Sequence, residues 1–393
     1  MWIARSKAQA IDQAVLTRPA VLLTGARQTG KSSLLRRQYP DYEYVTLDRI
    51  AMATEAEDSP SRFLDRFHGP VILDEVQYAP SLFRELKIRI DESRDSHGLY
   101  VLTGSQRFDL MTHVSESLAG RIRVLHLDTL HAGEIRGAAC PGDSDYIWKG
   151  GYPELWGNPD LHPDDFFESY IDTYLERDLK EIVRVVDLRD FRRFIRTCAT
   201  RAGQLLNTAD VARDIGVSAS TIKRWVHALE AGGIVYLLPP YFANIGKRLT
   251  KTPKLYFADH GLLCHLLNIR SRRDWDTHPL RGHLWENLVF SELVKTGVGS
   301  SGRNLYFYRD QNAVEIDFVI ETASVVTLIE AKVSEQPDVS KLNFKSVEPL
   351  LAGQVRVQCM VANMLPEDTC VHGKSFAMIN PTRVSFADEG VIG

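Results

Sequence analysis

The fold of the N-terminal part of this chain is indicated by the stretch Val21-Leu22-Leu23-Thr24-Gly25-Ala26-Arg27-Gln28-Thr29-Gly30-Lys31-Ser32-Ser33. An apolar run ends in the spacing G-x-x-x-x-G-K-S, and a helical pattern follows. A buried strand that passes into a helix through a glycine-rich turn forms a nest of backbone N–H groups for phosphates. We therefore expect a nucleotide site made of Gly25, Ala26, Arg27, Gln28, Thr29, Gly30, Lys31, Ser32 and Ser33.

Two acids follow a second apolar strand, in Val71-Ile72-Leu73-Asp74-Glu75. We expect Lys31 to reach the β- and γ-phosphates, and Ser32 and Asp74 to hold Mg²⁺. Glu75 would polarise the attacking water as general base, although an acid is also favoured near the start of a helix. The two motifs together predict a Mg²⁺-dependent ATPase, with ATP and Mg²⁺ as cofactors.

Two further segments are candidates for roles at the γ-phosphate. The predicted strand Leu99 to Thr103 is followed by Ser105 and Gln106, which could sense that phosphate or orient water, or form an ordinary turn. Arg121 follows a predicted helix end at Gly120. It could stabilise the transition state on a neighbouring subunit as an arginine finger, or form an internal salt bridge. The catalytic candidates are therefore Lys31, Glu75 and Arg121.

These motifs together resemble a known family. The phosphate loop, the acids after Leu73 and the segments Leu102-Thr103-Gly104-Ser105 and Leu118-Ala119-Gly120-Arg121 are similar to those of prokaryotic AAA-type predicted ATPases with a C-terminal domain of unknown function. Gly150-Gly151-Tyr152-Pro153-Glu154 and Tyr174-Leu175-Glu176-Arg177-Asp178-Leu179 also resemble that family. The resemblance spans nearly the whole chain. It implies an ATPase module joined to a winged helix and a nuclease-like domain.

The middle of the chain has the order of a winged helix-turn-helix. A helical pattern closed by Gly216 precedes a second helix, which Ser218 can cap, and a hairpin follows. The second helix carries Lys223 and Arg224. The hairpin loop adds Lys247, Arg248, Lys251 and Lys254. These cations suit DNA phosphates, but winged helices also serve as protein-packing modules. Trp225 lies at helical spacing within the predicted core.

A third constellation lies near the C-terminus. Asp317 on a predicted strand, followed thirteen positions later by Glu330-Ala331-Lys332, looks like the PD-(D/E)xK nuclease core, with Ile316 in place of the leading proline. Asp317 and Glu330 would share a Mg²⁺, Lys332 would position water, and Glu286 could add an outer carboxylate. Strand alternation and surface ion pairs offer an alternative without chemistry.

The predicted fold class is multi-domain α/β. We expect a P-loop AAA-type ATPase sheet at 1–145, a helical connector at 146–200, a winged helix-turn-helix at 201–268 and an α/β restriction-endonuclease-like domain at 269–393. The 393 residues exceed one ordinary core, and 44 % hydrophobic and 25 % charged residues are typical of globular proteins. We see no membrane-spanning run, signal peptide or C-x-x-C pair, so we expect a reduced cytoplasmic protein.

Three functions remain open at this point. The first is an ATPase that couples hydrolysis to the binding or remodelling of duplex or branched DNA. The second is a STAND-type signalling or regulatory switch that binds protein partners. The third is an ATP-gated, metal-dependent nuclease. A net charge of −4 argues against wholesale coating of nucleic acid but does not address local basic patches. A homo-oligomer is expected if Arg121 acts in trans.

Overall fold

The computed structural model describes residues 1–105, 117–175, 188–241, 252–351, 356–373 and 375–388. The chain divides into two compact units. The N-terminal unit comprises Ala4–Asp128 with Ala231–Gly233, and the C-terminal unit comprises the remainder. The connector, the helix-turn-helix region and the C-terminal sheet, which we expected as separate domains, therefore belong to one compact unit.

The N-terminal unit is built on a parallel sheet. Its described strands are β1 (Ala20–Gly25), β2 (Glu43–Thr46), β3 (Val71–Asp74), β4 (Tyr100–Ser105) and β5 (Ile122–His126). They lie in the order β2-β3-β4-β1-β5. Strand β4 thus separates the strand of the phosphate loop from the strand that ends in the two acids. Because parallel strands end at the same edge, these two motifs meet there with the end of β4 between them.

Helices cover both faces of this sheet. Alternate residues of β1 enter different cores: Val21 and Leu23 pack in one, and Ala20 and Leu22 in the other. A strand buried on both faces is the usual component of a parallel α/β sheet. The helical segments of the unit are Ala8–Thr17, Lys31–Gln38, Ile50–Asp58, Pro60–Leu64, the 3₁₀ turn Val76–Tyr78 and Leu82–Glu92.

The first unit ends at Asp128, before the boundary predicted at residue 145. Thr129 already belongs to the second unit, where its Oγ1 donates to Asp259 Oδ2 at 2.6 Å. The backbone N–H of Leu130 donates to Gly151 O at 2.7 Å. The segment at 138–145, which contains Pro141 and Gly142, therefore lies within the C-terminal unit.

The first half of the C-terminal unit is mostly helical. Its helical segments are Ala132–Gly137, the 3₁₀ turn Asp143–Asp145, Tyr146–Lys149, Pro153–Gly157, Pro163–Tyr170, the π-helical Ile171–Leu175, Leu188–Ala199, Thr208–Ile215, Ala219–Ala231, His260–Leu266 and Arg272–Thr277. In the sequence, the antiparallel pair β6 (Val235–Leu238) and β7 (Lys254–Phe257) follows the helix Ala219–Ala231 and precedes the helix His260–Leu266. Of the segment Tyr174 to Leu179, which resembles the family, the residues after Leu175 lie outside the described residues.

Local sequence explains the helix-turn-helix order. The Asn207 side chain accepts from the N–H groups of Ala209 and Asp210 and so caps the first helix. Gly216, at φ +90°, ends that helix in the left-handed conformation that glycine tolerates. The Ser218 hydroxyl accepts from Thr221 N at 3.1 Å and caps the second helix, as expected.

A mixed sheet forms the second half of the unit. Its described strands are β8 (Leu305–Arg309), β9 (Glu315–Glu321), β10 (Val325–Ala331), β11 (Arg356–Ala362), β12 (Val371–His372) and β13 (Ala377–Ile379), in the order β12-β13-β11-β10-β9-β8. The accompanying helical segments are Arg281–Lys295, the 3₁₀ turn Val339–Lys341 and Phe344–Leu351. The helix Arg281–Lys295 packs Phe290 on Tyr256 of β7, with ring centroids 4.4 Å apart.

The pairing of β8 with β9 changes register once. Tyr306 pairs with Val319, whereas Tyr308 pairs with Ile316, so β9 holds one extra residue in between. Such a bulge re-aims the side chains beside it. Asp317 lies in this interval. Its direction therefore does not follow from simple alternation along the strand.

Candidate functional sites

The phosphate loop joins β1 to the helix Lys31–Gln38. Gly25 has φ +150°, and a Cβ atom there would lie 2.3 Å from the carbonyl oxygen of Leu127. Gly30 has φ +90° and forms the N-cap of the helix. Residues with a side chain rarely adopt such backbone angles, so both motif glycines are needed for this conformation of the loop.

Lys31 lies inside its own loop. Its Nζ donates to Gly25 O at 3.0 Å and to Ala26 O at 2.9 Å, and the residue is only 5 % exposed. Burial lowers the pKa of Lys31, although the charges of Glu75 and Asp74 oppose that shift. The ammonium is therefore already held beside the loop backbone, where an incoming phosphate would offer it better acceptors.

Asp74, at the end of β3, accepts hydrogen bonds on both carboxylate oxygens. Ser32 Oγ donates to Oδ1 at 2.7 Å, and Tyr44 OH donates to Oδ2 at 2.6 Å. The Thr103 hydroxyl also donates to Oδ1. The structure thus brings together the two residues predicted to hold Mg²⁺. A serine hydroxyl and a carboxylate are the hard oxygen donors that Mg²⁺ prefers, so the residues fit the ion.

Glu75 follows directly in a left-handed backbone conformation, with φ +60°. Its N–H donates to Thr103 Oγ1 at 3.1 Å, and its carboxylate accepts from Gln77 Nε2. Non-glycine residues held at positive φ tend to occur at functional sites, where the surrounding contacts maintain the strain. The sequence motif and this geometry both mark Glu75 as the candidate base.

Three contributors to the site were missed by the sequence reasoning. Thr103 bridges Asp74 and the Glu75 backbone, yet the reasoning chose Ser105 and Gln106 further along the same strand. Tyr44 gave no motif signal. Arg5 supports the loop from outside, because Nη1 donates to Thr29 O at 2.8 Å and Nη2 to Asp128 O at 2.6 Å. The polar ends of neighbouring strands could have revealed Thr103, but Arg5 has no local signal.

The other γ-phosphate candidates have different outcomes. Ser105 ends β4 with its backbone paired beside Gly25, while Gln106 lies outside the described residues. Arg121 forms a two-pronged salt bridge with Asp91, from Nε to Oδ1 at 2.7 Å and from Nη2 to Oδ2 at 2.9 Å. This is the internal pairing that we weighed against a finger. A role of Arg121 in trans stays a prediction.

The expected DNA contacts fall into three groups. Lys223 and Arg224 are exposed on the helix Ala219–Ala231. Trp225 on the same helix is buried against Phe191 and Phe194, as predicted. The hairpin cations Lys247, Arg248 and Lys251 lie outside the described residues. Lys254 was expected in the loop as a phosphate contact, and this was wrong: it opens β7 and is 2 % exposed.

The Lys254 ammonium lies among carboxylates of the C-terminal sheet and helix. Its Nζ is 2.8 Å from Glu286 Oε1, 2.5 Å from Glu315 Oε1 and 4.0 Å from Asp317 Oδ1. Burial alone would lower the pKa of Lys254, but the charges of these acids outweigh it and raise that pKa. Burial would likewise raise the pKa of Glu286, and the ammonium of Lys254 reverses the shift.

Asp317 and Glu330, which the sequence suggested as a metal-sharing pair, both contact the Lys332 ammonium, and the sharing of a metal ion stays a prediction. Asp317 Oδ2 accepts from Ala331 N at 2.8 Å, and Glu330 Oε1 accepts from Asn343 N at 2.6 Å. Lys332 Nζ is 2.6 Å from Glu330 Oε2 and 3.8 Å from Asp317 Oδ2. Lysines therefore neutralise these carboxylates. Burial, then the charge of the neighbouring Glu286, raises the pKa of Asp317.

The residues that the structure describes have two further properties. Across those ranges, groups of three or more His, Cys, Asp or Glu placed to hold a metal ion do not occur. Within the same ranges, each helix is too short or too polar to span a bilayer.

Family models match most of the chain in three parts. An AAA domain matches residues 17–136, and two domains of unknown function, DUF8612 and DUF4143, match residues 144–273 and 281–362. The N-terminal unit, with its phosphate loop and acidic strand end, is a P-loop AAA-type ATPase domain. The protein is therefore an ATPase that binds and hydrolyses ATP. A further sheet-containing region follows it.

Most of the chain also matches two curated relatives. The uncharacterized protein Rv2008c of Mycobacterium tuberculosis is 33 % identical over 343 residues, which cover 86 % of this chain and 75 % of the relative. Protein Mb2031c of Mycobacterium bovis matches with the same values. The chain belongs to the family of these mycobacterial proteins.

Solved structures resemble it more distantly. The Walker-type ATPase PABY2304 of Pyrococcus abyssi is 15 % identical with a TM-score of 0.46, covering 68 % of this chain and 96 % of that one. The Thermotoga maritima RuvB Holliday junction branch migration motor is 14 % identical with a TM-score of 0.31, covering 60 % and 90 %.

Proposed function

We propose that this protein is a Mg²⁺-dependent ATPase that couples ATP hydrolysis to the binding or remodelling of DNA. The observation that carries the proposal is the exposed pair Lys223 and Arg224 on the second helix of a capped helix-turn-helix, followed by the pair β6–β7. In a winged helix this helix enters the major groove, and cations on it contact phosphates.

The chemistry at the ATP site follows from the contacts around Asp74. Ser32 and Asp74 would hold Mg²⁺, which supplies charge stabilisation to the transferring phosphoryl group. Lys31 would exchange its two loop carbonyls for phosphate oxygens. Glu75, oriented by Gln77 and by the hydroxyl of Thr103, would take the proton of the attacking water.

We further propose that the C-terminal sheet has the restriction-endonuclease-like fold. The helix Arg281–Lys295 beside strands β8 to β10, with Asp317 on β9 and Lys332 directly after β10, supports this assignment. In the proposal this region contributes to DNA handling as a binding platform. Because Lys254 and Lys332 already lie beside its carboxylates, the proposal includes no cleavage step.

ATP turnover with duplex, single-stranded and branched DNA tests the coupling. We expect one DNA form to stimulate turnover, and Lys31→Ala to abolish it with and without DNA. The double variant Lys223→Ala/Arg224→Ala should keep basal turnover and lose stimulation. Removing two phosphate contacts should also reduce the slope of log affinity against log salt by about 2.

A matched control removes the same charge elsewhere in the C-terminal unit. Arg273→Ala/Lys341→Ala changes two other exposed cations and should behave as wild type toward DNA. Turnover that is indifferent to every DNA form would contradict the proposal. That result would favour a switch that binds protein partners, the alternative with the same ATP site.

A further inference from the structure

Lys254 is fixed by its backbone as well as by its side chain. It opens β7, where it pairs with Leu238 of β6, and it forms an isolated bridge with Leu205. Its side chain is 2 % exposed. Because its backbone is paired in a strand and its side chain is buried, Lys254 is part of the folded core. A residue of a mobile lid would instead lie on an exposed loop.

Three acids from two elements converge on the Lys254 ammonium. Glu286 comes from the helix Arg281–Lys295, while Glu315 and Asp317 come from β9 around the bulge. We call these four residues the lysine–carboxylate cluster. Glu286 is buried and Asp317 nearly so, and an unpaired carboxylate in such a place would be strongly destabilising.

Other groups complete the shell of the cluster. Tyr256 OH donates to Glu286 Oε1 at 2.6 Å, and Arg309 Nη1 donates to Glu315 Oε2 at 2.5 Å. Ala331 N donates to Asp317 Oδ2. Each acid therefore has a further donor beside Lys254. The three carboxylates surround the ammonium, and each of them also accepts a hydrogen bond from one of these other donors.

A divalent ion at this place would need the same oxygens. Mg²⁺ binds oxygen ligands at 2.0–2.1 Å and Ca²⁺ at 2.3–2.6 Å. The Lys254 Nζ already lies 2.5 Å from Glu315 Oε1 and 2.8 Å from Glu286 Oε1, where those oxygens converge. The ammonium and a metal ion cannot both occupy that position.

We propose that the Lys254 ammonium permanently takes the place of a metal ion in the lysine–carboxylate cluster. The cluster then joins the hairpin β6–β7 to the helix Arg281–Lys295 and to β9 as a buried ion-pair clamp. The C-terminal unit excludes a divalent ion from these carboxylates in the folded protein. This inference rests on the geometry of the cluster and does not depend on DNA binding.

Metal binding by the full-length wild-type protein is the first test. Mn²⁺ is titrated without nucleotide, so that the phosphate loop contributes no phosphate ligands, and bound ion is measured by electron paramagnetic resonance. We expect no Mn²⁺ site that depends on Asp317. A wild-type site that disappears in Asp317→Asn would overturn the proposal, whatever the folding of other variants.

The second test removes the ammonium. Lys254→Met should lower the Tm by about 10 °C, because breaking one side of a buried ion pair is strongly destabilising. Mn²⁺ should restore part of that loss in Lys254→Met and none in the double variant Lys254→Met/Asp317→Asn. The wild type and Lys341→Met, which removes an exposed lysine paired with Asp338, should show no such shift.

Each outcome for Lys254→Met has a different meaning. If Lys254→Met does not fold, the ammonium is essential to the clamp and the wild-type titration decides whether metal is excluded. If Lys254→Met folds with wild-type Tm and takes no metal, the carboxylates need no cation there and the proposal is wrong. A failure of DNA to stimulate ATP turnover, which is measured separately, would concern the proposed function alone.

Discussion

Thr103 offers the most direct test of how the ATPase site is assembled. It is fully buried in β4, donates to the carboxylate of Asp74 and accepts from the N–H of Glu75. Thr103→Val replaces the hydroxyl by a methyl group of similar size, so packing is nearly unchanged while both hydrogen bonds are lost. We expect the variant to bind ATP but hydrolyse it slowly.

The magnitude follows from these two bonds. A hydrogen bond to a charged acceptor contributes about 1.5–3 kcal/mol, and a donor left unpaired in the interior costs about 1–3 kcal/mol. Asp74 keeps Ser32 and Tyr44 as donors, so the smaller values apply, and the free energy of unfolding should fall by about 2–3 kcal/mol. Turnover should fall about 10- to 100-fold, because Glu75 loses its backbone anchor and a general base contributes about 10²–10⁴-fold.

Denaturant unfolding and steady-state ATP hydrolysis measure the two effects separately. Thr103→Ser keeps the hydroxyl and is the matched control, which should recover most of the turnover. The fall should lie mainly in kcat, with a smaller change in KM. A valine variant with wild-type stability and kcat, or a serine variant as impaired as valine, would refute the bridging role of Thr103.

Three further predictions concern other parts of the chain. Arg5→Gln should weaken ATP binding about tenfold in calorimetry, because the guanidinium no longer binds the carbonyl oxygens of Thr29 in the loop and of Asp128. Unchanged affinity would contradict this supporting role of Arg5. Burial, then the charge of Lys295, lowers the pKa of His260 to about 4, so unfolding free energy should fall by about 3 kcal/mol as the pH drops from about 6.5 to about 4. The proton is bound more tightly by the unfolded chain in that window, and His260→Gln should flatten the pH profile. Arg121→Ala should leave turnover within about threefold of wild type, because the residue pairs with Asp91 in an exposed position; a loss near 10³-fold that depends on protein concentration would instead establish a finger in trans.

The elements of the N-terminal unit were largely predictable because their signals are local. The phosphate loop needs two glycines, a lysine and a serine at fixed spacing after a buried strand, and β1 and the helix Lys31–Gln38 lie where that spacing placed them. Strand β3 likewise ends at Asp74. The helix before β1 begins at Ala8.

Periodicity also located much of the C-terminal unit. Strand β10 spans the apolar run Val325–Ala331, directly before Lys332, and the second helix of the helix-turn-helix begins at Ala219 after its serine cap. The cap and the glycine turn act within a few residues, so sequence spacing suffices to place them. These features were set by neighbouring residues in the chain.

The local elements and the phosphate chemistry of the loop therefore follow from residues that are neighbours in the chain. Which distant side chains meet depends on how the elements pack in three dimensions. Thr103 and Arg5 contact the ATP site from other strands and segments of the chain. The N-terminal unit ends at Asp128, and Thr129 hydrogen-bonds to Asp259 within the C-terminal unit. Lys254 was read as a surface cation and proved to be the buried counter-ion of three acids. A lysine carries the same charge in both places, and only the fold specifies whether water or carboxylates surround it.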